Sequence, residues 1–224
     1  MDSQSLYNWK VAPKKKAADA PLHRESAYTA RNRASLIKAA QDVIGDVGLT
    51  ATIDQLASRA QVSPQTIYNY FESKENLLAE ALDEALKNWV LWAHAGETPG
   101  VSFQKMIDVC RKLFRVKETH PQFADILKNA FVDPLFVRSA AYASGVSDLQ
   151  EIAKNEGWEL DKIEERAYLW SYSIAGIMFG VFVIETLTPE KADASLEISL
   201  ATMGISKAKA KKLVSHPLVY PESK

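Results

Sequence analysis

One cysteine, Cys110, is all that 224 residues contain, so no intrachain disulfide can staple the fold and a reducing compartment is the expected setting. An excess of either charge is also missing. With 27 Lys and Arg against 28 Asp and Glu the net charge is −1, so any attraction for a polyanion has to be local. The four histidines, at 23, 94, 120 and 216, are scattered. HExxH, GxSxG, P-loop and paired-cysteine patterns are all absent, which argues against an enzyme and implies neither metal nor cofactor. No apolar run of the kind that follows the charges of a secretory signal is found near the start, and the expected location is the cytoplasm. No segment alternates with period two long enough for a sheet. What remains, 47% hydrophobic and 25% charged residues, suits a globular all-α protein of one or two domains.

The densest local signals lie between residues 52 and 71. Thr52 followed by Gln55 is a capping box and predicts a helix start. Ser63 before Pro64 predicts another, since serine caps free amides and proline suits the first helical position. Val62 and Ile67 have the spacing of a hydrophobic staple. Only Ala60, Gln61 and Val62 separate the two helices, which leaves room for a tight turn: a helix-turn-helix. On the second helix Ile67 and Phe71 mark the buried stripe, and Gln65 and Asn69 point away from it. Thr66 and Tyr68 flank that ridge, with Tyr70 at the core boundary. Such amides can pair with the N6 and N7 edge of adenine in a major groove, while hydroxyls suit phosphate oxygens.

These residues extend into a longer pattern. Arg33, Ile37, Ala39-Ala40, Ile44, Gly48, Thr52-Ile53, Leu56-Ala57, Val62-Ser63, Thr66-Ile67-Tyr68, Tyr70-Phe71 and Ser73-Lys74-Glu75 together resemble the DNA-binding domain of TetR-family transcriptional regulators, over roughly residues 31 to 80. The resemblance implies that Thr52, Tyr68, Tyr70 and Lys74 hold backbone phosphates and that Gln65, Thr66 and Asn69 face base edges. Two positions depart from the family pattern. Gln61 replaces the usual turn glycine, so a left-handed backbone there carries roughly 1 kcal/mol of strain. Gln65 replaces a frequent glycine and places a long side chain on the reading face.

Residues 1–30, with Pro13, Pro21 and the Lys14-Lys15-Lys16 run, read as a flexible basic arm, and residues 1–33 carry a net charge of +4. Extra phosphate contact and simple solvation are both open for this arm. Residues 31–75 form the expected reading domain and 76–224 an expected helical effector-binding and dimerisation domain. Ser73 caps a long helix to about His94, closed by the Gly96 to Gly100 segment. Further helices are expected at 101–117, 121–131, 134–156, 161–187, 190–203 and 206–215. Ala167 to Ile184 has no charged residue and holds a GxxxG pattern, yet serines, tyrosines and glycines dilute its hydrophobicity. A buried helix is expected there, with no membrane span.

The resemblance further implies a homodimer built from two C-terminal helices per subunit, with Gly176, Gly180, Leu196 and Leu200 as candidate interface residues. It also implies a cavity for a small hydrophobic or aromatic effector, with candidate contacts Trp89, Trp92, Phe103, Met106, Cys110, Phe114, Phe131, Trp170 and Met178. Tyr168, Tyr172 and Asn129 are candidate polar partners. Cys110 lies on the inner stripe of its helix, where a thiol acts as a small hydrophobe. Together these features predict a ligand-responsive repressor that binds a palindromic operator in double-stranded DNA. A helical protein-binding adaptor is the alternative.

Overall fold

A computed structural model describes residues 27–95, 102–130, 140–157 and 162–221. Residues 1–26, the Gly96 to Gly100 break, Phe131 and Pro134 lie outside the described residues. The chain divides into two units, Met1–Ala34 and Ser35–Lys224. In the first, residues 27–34 form the opening turns of helix α1, Ala27–Val47. Residues 27–30, assigned to the arm by composition, are therefore helical.

Among the described residues no strand occurs. In the second unit a 3-10 turn, Gly48–Thr50, leads to α2 (Ile53–Ala60) and α3 (Pro64–Phe71). Both starts follow from side-chain caps. Thr52 Oγ1 accepts from the Gln55 amide at 3.2 Å while Gln55 Oε1 accepts from the Thr52 amide at 2.8 Å. Ser63 Oγ accepts from the Thr66 amide at 3.3 Å ahead of Pro64. The turn between them is left-handed at Gln61, with φ 56° and ψ 41°, so a non-glycine residue takes the strained conformation that glycine favours.

Helix α4 (Lys74–Ala93) starts at Ser73, whose hydroxyl accepts from the Asn76 amide at 3.1 Å. Its buried face carries Leu78, Leu82, Ala85 and Trp89. The following helices are α5 (Phe103–Phe114), α6 (Val116–Thr119), α7 (Pro121–Ala130), α8 (Ala140–Asn155), α9 (Ile163–Phe182), α10 (Pro189–Ser199) and α11 (Lys207–Val214), with a 3-10 turn at Leu200–Met203. The expected helix 101–117 breaks at Arg115 into α5 and α6. The expected helix 161–187 stops at Phe182, because the amides of Thr186 and Leu187 turn back onto the Gly180 carbonyl at 3.0 and 3.2 Å.

One apolar core runs through the second unit, from Ile44, Leu56 and Ile67 through Leu78 and Leu82 to Phe103, Leu127, Phe182 and Leu196. No gap in packing falls at residue 75. Two polar contacts join the same elements: Gln41 Nε2 donates to the Ala81 carbonyl at 3.1 Å, and Asn129 Nδ2 donates to the Gly45 carbonyl at 2.5 Å. Gly48 sits beneath α7 at φ 78°, where a Cβ would lie 3.3 Å from the Asn129 carbonyl oxygen. No described helix is long and apolar enough to cross a membrane.

Candidate nucleic-acid interface and effector site

Helix α3 is anchored by Ile67 and Phe71, both buried, and this fixes what faces outward. Gln65 and Asn69 are exposed one turn apart, and Gln65 Nε2 donates to Asn69 Oδ1 at 3.2 Å, which aligns the two amides as one ridge. Thr66 is half-buried, its hydroxyl 3.0 Å from that of Ser63. Tyr68 is 43% exposed, whereas Tyr70 is half-buried with its ring beside Phe71. Thr52 spends an acceptor lone pair on its cap and keeps its hydroxyl proton for another partner. Lys74 Nζ lies 3.5 Å from Glu75 at the first turn of α4. Arg59, on α2, is held by Asp46 and by Asp42 at 3.7 Å and offers little free charge.

An open cleft of about 630 Å³ lies between α1 and α2, lined by Val43, Asp46, Asp54, Ser58 and Arg59 among others. Its carboxylates suit neither phosphate nor an apolar effector.

In the body, Trp89, Phe103, Phe114, Trp170 and Met178 are buried, and Trp92, Met106 and Cys110 are half-buried. Phe131 lies outside the described residues. Trp89 stacks on Phe123 with ring centroids 5.7 Å apart and tilts against Trp92 at 6.4 Å. His120 meets Trp92 edge-on at 4.2 Å, and Tyr220 lies 6.1 Å from the same ring. Phe103 and Trp170 form a second pair at 6.4 Å. Among the described residues three buried nitrogens, Trp89 Nε1, His120 Nδ1 and Trp170 Nε1, have no hydrogen-bond partner. Burial holds the His120 imidazole below its ordinary pKa, and pushes the Cys110 thiol up to about 12. No group of acidic, histidine or cysteine side chains suited to a metal occurs among the described residues.

Several expected roles move. Asn129 is spent on the Gly45 carbonyl. Tyr172 is 62% exposed and faces away from the core. Leu196 and Leu200 are fully buried inside the subunit, so neither can meet a second copy. Gly180 is buried too: a Cβ there would come within 2.6 Å of Leu187 Cδ1, so its small size serves the turn from α9 toward α10. Gly176 alone of the four is exposed, with open space around it.

Sequence reasoning missed a polar seam along α5. Arg111 Nη1 donates to the His216 carbonyl at 2.6 Å and Arg111 Nε to Asp193 at 3.3 Å, while Arg115 Nη2 donates to Asp193 at 2.7 Å. Burial opposes the Arg115 charge, but the hydrogen bonds and ion pair with Asp193 outweigh it and raise its pKa. Lys112, almost wholly buried, donates from Nζ to the Ala93 carbonyl at 2.5 Å and so caps the C-terminal end of α4. Asp108, Arg111, Lys112 and Arg115, spaced three and four apart inside an amphipathic stretch, carried that signal.

Residues 36–81 match the family model described as bacterial regulatory proteins, tetR family. The N-terminal reading domain belongs to the TetR family. Among curated proteins none matches the sequence. Among solved structures, RolR in complex with resorcinol superposes with a TM-score of 0.61 at 18% identity, covering 85% of this chain and 96% of RolR. SmeT, the repressor of the Stenotrophomonas maltophilia multidrug efflux pump SmeDEF, gives 0.59 at 14% identity over 75% of this chain and 88% of its own. FadR from Bacillus subtilis in complex with stearoyl-CoA gives 0.57 at 18% identity over 77% and 99%. At these identities the likeness establishes a TetR-like helical fold for the body. TetR-family regulators are in general transcription factors without enzymatic activity.

Proposed function

We propose that this protein is a transcriptional repressor that reads a palindromic operator as a homodimer and leaves it when a small organic effector binds the helical body. The single observation that carries the DNA reading is the exposed Gln65 and Asn69 ridge on a capped, core-anchored α3, inside a TetR-family domain. Thr66 joins the base-facing set, and Thr52, Tyr68, Tyr70 and Lys74 surround it for phosphate contact.

Dimerisation is supported by α9, which exposes Leu169 (53%), Tyr172, Gly176 and Phe179 (39%) at spacings of three, four and three. These positions share one helical face. An apolar stripe of this kind on a soluble surface marks an association site, and a two-fold partner places two reading heads on the two halves of one site.

Coupling between sites runs through α4. Its first turn carries Lys74, its last turns carry Trp89 and Trp92, and at about 1.5 Å per residue its 20 residues span roughly 30 Å. A ligand that favours another tilt of α4 changes the spacing of the two heads, and about 2–3 kcal/mol of coupling weakens DNA binding roughly 30- to 150-fold. RolR was solved with resorcinol and FadR with stearoyl-CoA, which supports an organic effector for a fold of this kind. SmeT's role as a repressor supports the sign of the regulation.

Charge on the α9 stripe tests the dimer. Tyr172→Glu with Gly176→Glu should give a monomer by light scattering and abolish specific DNA binding. A persistent dimer would displace the interface from α9, and a monomer that still binds one operator tightly would remove the need for a palindrome.

A further inference from the structure

We propose that the aromatic cluster around Trp92 is the effector site and that it takes an uncharged aromatic molecule carrying a hydroxyl group. The proposal rests on the reading of the body as effector-binding and adds the chemistry of the ligand.

The two rings that pack against Trp92, Trp89 and His120, each carry a buried nitrogen with no hydrogen-bond partner among the described residues: Trp89 Nε1 and His120 Nδ1. A well-packed core leaves few such groups unpaired, because a buried polar atom that has lost water needs a replacement partner. Trp89 is 4% exposed, so its N–H is not served by bulk solvent. An indole N–H only donates, which calls for an oxygen acceptor on the ligand. A neutral imidazole nitrogen accepts when the proton sits on the other nitrogen, which calls for a donor. A hydroxyl group offers both functions; a hydrocarbon offers neither.

The charge around the cluster, among the described residues, disfavours an anion. His120 is held toward its neutral form by burial. Arg111 is engaged by Asp193 and the His216 carbonyl, Arg115 by Asp193, and Lys112 by the Ala93 carbonyl. A carboxylate entering here would lose its hydration and find these three cations already engaged, a combination that burial strongly disfavours. Trp89 and Phe123 already stack on each other, and the half-buried Trp92 is the ring of the cluster with surface left for a planar ligand ring.

The C-terminal segment completes the site. His216 Nδ1 lies 3.2 Å from Asp108 and its carbonyl accepts from Arg111, which holds the chain on α5 and brings Tyr220 against Trp92. Tyr220 is 39% exposed and Trp92 half-buried, so this is the side of the cluster nearest to solvent.

Calorimetric titration of the full chain with 4-ethylphenol, ethylbenzene and 4-ethylbenzoate at pH 7.5 tests the assignment, since the three differ only in the polar group. Saturable binding of 4-ethylphenol, about tenfold or more tighter than either other probe, is the expected result. Trp89→Phe, which keeps a ring and removes the N–H, should cost about tenfold for 4-ethylphenol and leave ethylbenzene unchanged. His120→Phe serves the same comparison if the first variant is unstable. Preference for 4-ethylbenzoate, equal binding of all three, no saturable 4-ethylphenol binding, or indifference to both substitutions would overturn the proposal. Selection of random DNA by the same preparation reports on the regulator reading alone, so either conclusion can fail while the other stands.

Discussion

Gln65 and Asn69, the residues assigned to DNA reading, are exposed on a helix of eight residues, whereas Trp89, Phe103, Phe114 and Trp170 in the body are almost wholly buried. Both regions use the same means, an amphipathic helix with a serine or threonine cap. They differ in which side carries the function. In the head the core face only holds α3 in place, and the outward side chains are free to meet a partner. In the body the proposed ligand contacts are inward side chains that also hold the fold, so a substitution there should act on stability and recognition at once.

The sharpest way to break this comparison is the ridge itself. Gln65→Ala with Asn69→Ala removes the two amides proposed to read bases and nothing from the core. At about 1–3 kcal/mol for each bidentate contact, discrimination between operator and random duplex should fall by about a hundredfold, with the urea midpoint unchanged. Unaltered sequence preference in a binding titration would move the reading to Thr66 and Tyr68 or off α3 altogether.

How much of each region was legible follows the same division. Thr52, Gln55, Ser63 and Pro64 announced both helix starts, because caps act between residues three apart and need no tertiary context. Ile67 and Phe71 fixed the face. In the body, periodicity named the buried set, but it could not say which neighbour each residue meets. Leu196 and Leu200 carry the pattern of an apolar face, and that face is used within the subunit. Gly180 reads as a helix-contact glycine, and Leu187 from seven residues further on occupies the space. The approach of Tyr220 to Trp92 and of His216 to Asp108 joins positions more than a hundred apart, a distance at which no local rule operates.

Cys110 gives the smallest expected effect. Burial pushes its thiol up to about 12, so at pH 8 the nucleophilic thiolate is scarce. Alkylation by iodoacetamide in the native protein should be far slower than in urea, and Cys110→Ser should leave DNA binding insensitive to oxidants as before. Rapid native labelling would mean that the α5 face opens in solution, which would blur the contrast between an inward-facing body and an outward-facing head.

The most direct test of the central claim is selection from random-sequence DNA by the purified protein at physiological salt, followed by sequencing of the bound pool. A dimer that reads through two α3 helices should enrich an inverted repeat whose half-sites lie about one helical turn apart. A folded, dimeric protein that enriches no sequence would contradict the account and leave a helical adaptor in its place.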